Sequence, residues 1–225
     1  MKNYYGDHLS ADRLRRVYEL APPRIVQYLE AEIDFLEKCL HHSDIILELG
    51  CGYGRVLKRI CTGIRYVIGI DTSAMSLRSA AQDLNSLPNV ALAQMDATRL
   101  GFYDEIFDSV ICIQNGISAF HVDPFELVRE SLRVTRSGGQ LLFSSYAAGF
   151  WENRLDWFRI QAANGLIGEI DLEKTGEGKI VCKDGFSATT FGPKDFETLI
   201  SPLGIPYDVC EVDGSCLFCK IIVIR

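Results

Sequence analysis

Apolar and polar positions follow two rhythms along the chain, and each change of rhythm marks an element. In SADRLRRVYELA, Leu14, Val17, Tyr18 and Ala21 recur at helical spacing, with Ser10 placed as an N-cap. Pro22 and Pro23 interrupt the run, and proline suits the first turn of a new helix. Ile25, Leu29, Ile33, Leu36 and Leu40 then form a single stripe. Two helices are therefore predicted ahead of the first strand.

From Ile45 the pattern alternates. Short apolar runs predict strands over Ile45–Leu49, Tyr66–Ile70, Val90–Gln94, Ser109–Ile113 and Gln140–Ser145, with helices over 54–61, 73–86 and 123–135. These strands are apolar on both faces, as a parallel sheet covered by helices requires. After Tyr146 the rhythm breaks. YAAGFWENRLDWFRIQAANGLIG reads as an aromatic-rich helix, and the residues after it as two strands around a glycine turn, an insertion of about forty residues. A helix over GPKDFETLISPLG and two strands, PYDVCEVDG and SCLFCKIIVIR, end the chain. Asp213-Gly214 is a hairpin turn, so these last two strands run antiparallel.

The expected fold is α/β. It is a doubly wound, mostly parallel seven-stranded sheet with an antiparallel last strand, N-terminal helices and a small helix-plus-hairpin insertion after strand five. One globular domain is expected. It comprises an N-terminal helical lid (1–43), a core (44–147 and 186–225) and the insertion (148–185) as a substrate lid.

Composition narrows the function. The 225 residues suit one such domain, 48% of them are hydrophobic, and the net charge is −7. An acidic chain is a poor match for nucleic acid, whose phosphates call for a basic surface. No apolar leader opens the chain, and no run approaches the roughly 18–20 apolar residues of a membrane span, so a cytoplasmic protein with reduced thiols is expected. Cys39, Cys51, Cys61 and Cys112 fall in apolar segments and read as core. Cys216 and Cys219 resemble a metal pair, but residues three apart in a strand face opposite sides. Cys182 and Cys210 lack the spacing of a second pair, so no metal is expected.

The chemistry concentrates in IILELGCGYGR. Gly50, Gly52 and Gly54 follow a strand and open a helix, where missing side chains let the chain turn and a ligand approach the backbone. The dinucleotide fingerprint is G-x-G-x-x-G; here the third glycine comes one position early and Arg55 follows it. Strand two ends in Asp71, placed to accept ribose hydroxyls or to cap the helix that DTSA opens. Asp96 follows strand three, where a turn residue is the alternative reading. Asp108 precedes a buried strand and reads as structural.

Four segments in order, ILELGCGYGR, VIGIDTSAMSL, AQMDATRLGFYDEIFDSVICI and LRVTRSGGQLLFSSY, resemble the class I S-adenosylmethionine-dependent methyltransferases over about residues 44 to 146. The resemblance implies S-adenosylmethionine as cofactor. Gly50 and Gly52 approach its methionine part, within a loop that Cys51 and Gly54 complete, and Glu48 holds the loop and the ammonium side. Asp71 takes the ribose, Asp96 and the Ala97 backbone read adenine, and the main chain at Ile113 and Gln114 lies by the methionyl amine. Thr72 departs from the aliphatic residue common after the ribose acid, and a methionine common nearby is shifted to Met75.

The acceptor is less legible. In-line transfer to an N, O or S atom needs alignment and, for amines and hydroxyls, loss of a proton. His121 and Tyr146 are candidates for that role. Asn115, Phe150, Trp151, Arg154, Trp157 and the N-terminal Tyr5, with Tyr4 beside it, are candidates to line an acceptor site. The aromatics of the insertion read equally as its own small core. CIQNGISAF lacks the N-P-P-Y or D-P-P-Y signature of enzymes methylating nucleobase amines, which favours a small-molecule acceptor and disfavours nucleic acid. A non-catalytic cofactor-binding protein and a methyltransferase of protein side chains are the alternatives.

Overall fold

The two N-terminal helices form where the apolar stripes place them. A computed structural model describes residue 4 and residues 8–225. Helix α1 spans Asp12–Glu19 and α2 spans Pro23–Cys39, with Pro23 in the first turn. Ser10 does not cap α1. The chain enters through Ala11 at φ 49 with no side-chain cap, and the Ala11 N–H instead donates to Ser76 Oγ at 3.2 Å. The buried stripe of α2 contains Ile25, Leu29, Ile33 and Leu36, and also Tyr28 and Glu32.

The alternating region follows as β1 (Ile45–Leu49), α3 (Arg55–Ile60), β2 (Tyr66–Asp71), α4 (Ala74–Leu84), β3 (Val90–Gln94), β4 (Phe107–Cys112), α5 (Gly116–Ala119), α6 (Pro124–Val134) and β5 (Thr135–Tyr146). Local chemistry sets the helix starts. Ser73 Oγ accepts from the Ser76 N–H at 3.2 Å, and Asp123 Oδ1 accepts from Phe125 at 2.9 Å with Pro124 next to it. After the insertion come α8 (Pro193–Ile200), β8 (Tyr207–Val212) and β9 (Cys216–Ile222).

The sheet order is β3-β2-β1-β4-β5-β9-β8. Strands β3 to β5 pair in parallel, and β9 is antiparallel to both its neighbours. Asp213 and Gly214 both take positive φ, 58° and 62°, as the expected tight hairpin requires. Side chains alternate between two cores. Ile46, Ile111, Leu142 and Phe218 face the side of α1, α2 and the insertion, while Leu47, Val110, Leu141 and Ile221 face α6 and α8. On α6, Leu127, Val128 and Val134 have no exposure, each such burial worth about 1.5–3 kcal/mol. Cys216 lies in the first core and Cys219 in the second, so the strand points the two thiols apart. Asp108 is structural here: its Oδ2 accepts from the Ile45 N–H at 2.6 Å and ties β4 to the start of β1.

The insertion departs from expectation. Its helix forms as α7 (Trp151–Ala163), preceded by a short turn at Ala148–Phe150. The two predicted strands shrink to β6 (Ile180–Val181) and β7 (Ser187–Ala188), joined around Gly185, with isolated bridges at Ile170–Cys182 and Gly176–Lys179. Positive φ at Glu177, Gly178 and Gly185 breaks the extended conformation that longer strands need. No described helix is long and apolar enough to cross a membrane.

Candidate functional site

The C-terminal ends of β1 to β4 open into a cavity of about 430 Å³, roofed by α1, α2 and α7. This is where an open parallel sheet binds ligands, at the switch between β1 and β4. Gly50 and Gly52 line it. Gly50 takes φ +71 and faces the Phe120 ring, which would lie 2.4 Å from a Cβ added there, so no other residue fits without displacing the ring. Cys51 and Gly54 do not line the cavity. The Cys51 N–H donates to Ile70 O at 2.9 Å and its thiol packs under Gly69, while Gly54 starts α3 at φ +84 against Leu84.

Asp71 reaches the cavity from the tip of β2. Its Oδ2 accepts from the Gly52 N–H at 2.9 Å and its Oδ1 from the Ser73 N–H at 2.7 Å. One carboxylate thus joins the glycine loop to the start of α4, each oxygen keeping a lone pair for a ligand. Burial raises its pKa, and the backbone hydrogen bonds oppose that rise. Thr72, Asp96 and Ala97 lie on the same wall. Asp96 Oδ1 accepts from the Thr98 N–H and hydroxyl at 2.8 and 2.7 Å. Met75 is exposed; Met95, at the end of β3, lines this wall instead.

The opposite wall is aromatic, with Tyr18, Tyr28, Tyr146, Trp157 and Phe158. Tyr146 is buried beside Tyr28, ring centroids 5.2 Å apart, and burial pushes its hydroxyl up to about 12. The Trp157 indole N–H donates to Val17 O at 3.2 Å, fixing α7 to α1. His121 lies at the rim, exposed and at φ 53.

The other acceptor candidates lie outside the lining. Asn115 is a buried bolt, its Nδ2 donating to Thr189 O at 2.7 Å and its Oδ1 accepting from Ser145 Oγ at 2.8 Å. Phe150 packs on Tyr28 and beneath Arg24. Arg154 turns inward, Nη1 donating to Gly178 O at 2.8 Å and to Thr190 Oγ1 at 2.7 Å, with Trp151 near its guanidinium. Tyr5 falls outside the described residues. Tyr4 donates to Asp184 Oδ2 at 2.5 Å and stacks edge-on against Phe186, away from the cavity.

Between the glycine loop and the aromatic wall lies a buried polar cluster that reading the sequence missed, apart from Glu48 and Gln114. Glu32 Oε1 accepts from the Gln114 N–H at 3.1 Å and from Ser144 Oγ at 2.5 Å, and Tyr18 donates to Gln114 Oε1. The Arg55 guanidinium lies 5.0 Å over the Tyr18 ring, within electrostatic reach of both Glu32 and Glu48. Glu32 Oε2, Glu48 Oε2, Arg55 Nε and Nη2 and Gln114 Nε2 have no well-formed hydrogen bond among the described residues, nor does the Tyr28 hydroxyl, which stands within reach of Glu32 and Tyr146. Burial pushes the Glu48 carboxyl up to about 8, with Arg55 opposing. Such atoms cost about 1–3 kcal/mol each when left unpaired. An α-amino-acid group would satisfy both signs at once, ammonium to the Glu48 carboxyl and carboxylate to the Arg55 guanidinium. The residues present therefore fit S-adenosylmethionine, whose tail is such a group.

The family model of the methyltransferase domain matches residues 46–139. A phosphatidylethanolamine N-methyltransferase of Cereibacter sphaeroides is 33% identical over 144 residues, 57% of this chain and 70% of that protein. A malonyl-[acyl-carrier protein] O-methyltransferase of Marinomonas sp. is 31% identical over 115 residues, 49% of this chain and 41% of that one. The chain spans less than half the length of several curated relatives it matches. In fold it agrees with a SAM-dependent methyltransferase of Aquifex aeolicus at TM-score 0.66 and 15% identity, over 96% of this chain and 100% of that one. The seven-stranded sheet with its reversed β9, the glycine loop and the matched domain together place the chain in the class I, Rossmann-like family of S-adenosylmethionine-dependent methyltransferases.

Proposed function

We propose that this protein moves the methyl group of S-adenosylmethionine to an N, O or S atom of a small-molecule acceptor. The observation that carries the reading is one continuous cavity with an acidic, glycine-lined end and an aromatic end. On this reading Asp71 takes the ribose hydroxyls, Asp96 and Ala97 face the adenine, and Gly50, Gly52, Ile113 and Gln114 border the methionine part. Glu48 and Arg55 take its ammonium and carboxylate. The cofactor supplies the activated methyl, and the protein's task is to align the acceptor and exclude water. The roof of α1, α2 and α7 supports a small acceptor over a protein side chain or nucleic acid.

The test begins with binding. S-adenosylhomocysteine at about a hundredfold over its Kd stabilises the native state by about 2.7 kcal/mol, read as a rise in melting temperature. Product formation with a broad acceptor panel then separates an enzyme from a silent cofactor binder. No stabilisation at saturating ligand would sink the reading.

The orphaned guanidinium adds a second expectation. Arg55→Met weakens S-adenosylhomocysteine by roughly 10- to 100-fold, the worth of a hydrogen-bonded charge. It leaves 5′-methylthioadenosine, which lacks the amino-acid tail, within about twofold. Calorimetry with both ligands checks this; equal losses would show that Arg55 acts only through the loop.

A further inference from the structure

At the inner end of the cavity, Tyr28 and Glu32 stand one turn apart on the buried face of α2, a residue pair that neither cofactor binding nor packing accounts for in full. Tyr28 is fully buried yet lines the cavity, and its hydroxyl, within reach of Glu32 and Tyr146, makes no well-formed hydrogen bond among the described residues. Glu32 is equally buried. Its Oε1 is saturated by Gln114 and Ser144, while its Oε2 is unpartnered. The hydroxyl of a cavity-lining tyrosine, backed by a carboxylate with an unpartnered oxygen, forms an incomplete hydrogen-bond chain. Buried polar groups of this kind are normally paired.

The surroundings narrow what completes it. Among the described residues that line the cavity there is no lysine or arginine, and its inner wall is built from aromatic rings. Flat, apolar walls favour a planar aromatic body. Arg154 lies 4.4 Å from the centre of the Tyr146 ring. Its positive charge disfavours an ammonium at that wall and favours an oxygen gaining negative charge. A carboxylate ligand is disfavoured by Glu32 itself.

We propose that Tyr28 and Glu32 form the acceptor-docking subsite, and that the acceptor is a neutral aromatic hydroxyl compound; this rests on the methyltransferase reading above. The acceptor hydroxyl hydrogen-bonds to Tyr28, which stands between it and Glu32. During transfer the acceptor oxygen's lone pair forms the new bond to the methyl carbon, and the electrons of the methyl–sulfur bond stay on sulfur. The acceptor's proton passes through the Tyr28 hydroxyl to the Glu32 carboxylate. Tyr28 is thus the residue that touches substrate, and Glu32 acts through it. Burial pushes the Glu32 carboxyl up to about 7, so it can hold a proton near neutrality. The groups facing it are Tyr28 on its own helix, Arg55 from α3, Ser144 and Tyr146 from β5, and Cys216 from β9.

Calorimetry on the protein saturated with S-adenosylhomocysteine tests this with three single-ring probes: phenol, benzoate and benzylamine. Phenol binds, and the two charged probes bind at least about tenfold more weakly. Tyr28→Phe and the isosteric Glu32→Gln each weaken phenol about tenfold while leaving S-adenosylhomocysteine within about twofold. Phenol stays neutral across the range, so its affinity follows the ionised carboxylate. It falls by about tenfold in all as pH drops through about 7 and then levels off, and this dependence vanishes in Glu32→Gln. Probe selectivity and the pH profile are read on the unaltered protein, so they hold if a variant folds poorly. Equal affinities for the three probes, or a flat pH profile, overturn the proposal alone. Failure of S-adenosylhomocysteine to bind overturns the methyltransferase reading and this proposal with it.

Discussion

Asp71→Ala is expected to weaken S-adenosylhomocysteine binding by at least about a hundredfold. On the proposed assignment the carboxylate accepts two ribose hydroxyls, and each hydrogen bond to a charged acceptor contributes about 1.5–3 kcal/mol. A second loss adds to the first. The same side chain accepts the Gly52 and Ser73 N–H groups at 2.9 and 2.7 Å, so alanine also releases the glycine loop from the start of α4. Two backbone donors then lack their acceptor, and the ligand-free protein loses roughly 1–3 kcal/mol. Asp71→Asn separates the contributions. Its one carbonyl oxygen can serve one of the two amides, so more stability than affinity is retained. Titration calorimetry and urea unfolding on both variants measure the split. An Asp71→Ala affinity within threefold of the parent would remove Asp71 from the site.

The alternating part of the fold was readable because its elements are decided locally. Runs such as YVIGID and FDSVIC are apolar on both faces, and a sheet covered on both sides is the structure that accepts them. The hairpin at Asp213-Gly214 was equally local, since the turn itself demands positive φ. What failed was tertiary. Ser10 looks like a cap, yet contact with Ser76 on α4 fixes the entry to α1 one residue later. In the insertion, the expected strands reduce to a two-residue ladder, helped by isolated bridges and by Arg154.

The glycine-and-acid end of the cavity was legible, because the turn at Gly50 and Gly52 demands positive φ and Asp71 and Asp96 follow from where strands two and three end. The inner end was not. Tyr28 and Glu32 lie in a helix whose stripe was read as 25, 29, 33, 36 and 40. The same face at three- and four-residue steps runs through 25, 28, 32 and 36, which brings a carboxylate into the core. A buried carboxylate in an otherwise apolar stripe was the available signal. Asn115 and Arg154 were misleading in the opposite sense: both carry the chemistry of ligand residues, and the structure spends that chemistry on Thr189, Gly178 and Thr190.

Arg154 therefore supports a prediction about folding rather than ligand contact. Arg154→Ala is expected to destabilise the protein by about 3–5 kcal/mol, the range for removing a large buried side chain together with its charged hydrogen bonds. The side chain is 1% exposed, and its guanidinium lies 4.4 Å from the Tyr146 ring centre and 5.5 Å from that of Phe158. Removing it leaves Gly178 O without its Nη1 donor and opens space between α7, β5 and the segment around residues 178–190. Arg154→Lys recovers little, because a single ammonium lacks the planar fork that stacks on rings while donating sideways. Arg154→Met recovers the volume and not the hydrogen bonds, so it falls between the two states. Urea unfolding gives the order parent, Met, Ala. S-adenosylhomocysteine affinity, measured where each variant is folded, stays within about threefold, since Arg154 does not line the cavity. A loss below about 1 kcal/mol with a large loss of acceptor binding would reverse the assignment and return Arg154 to the acceptor site.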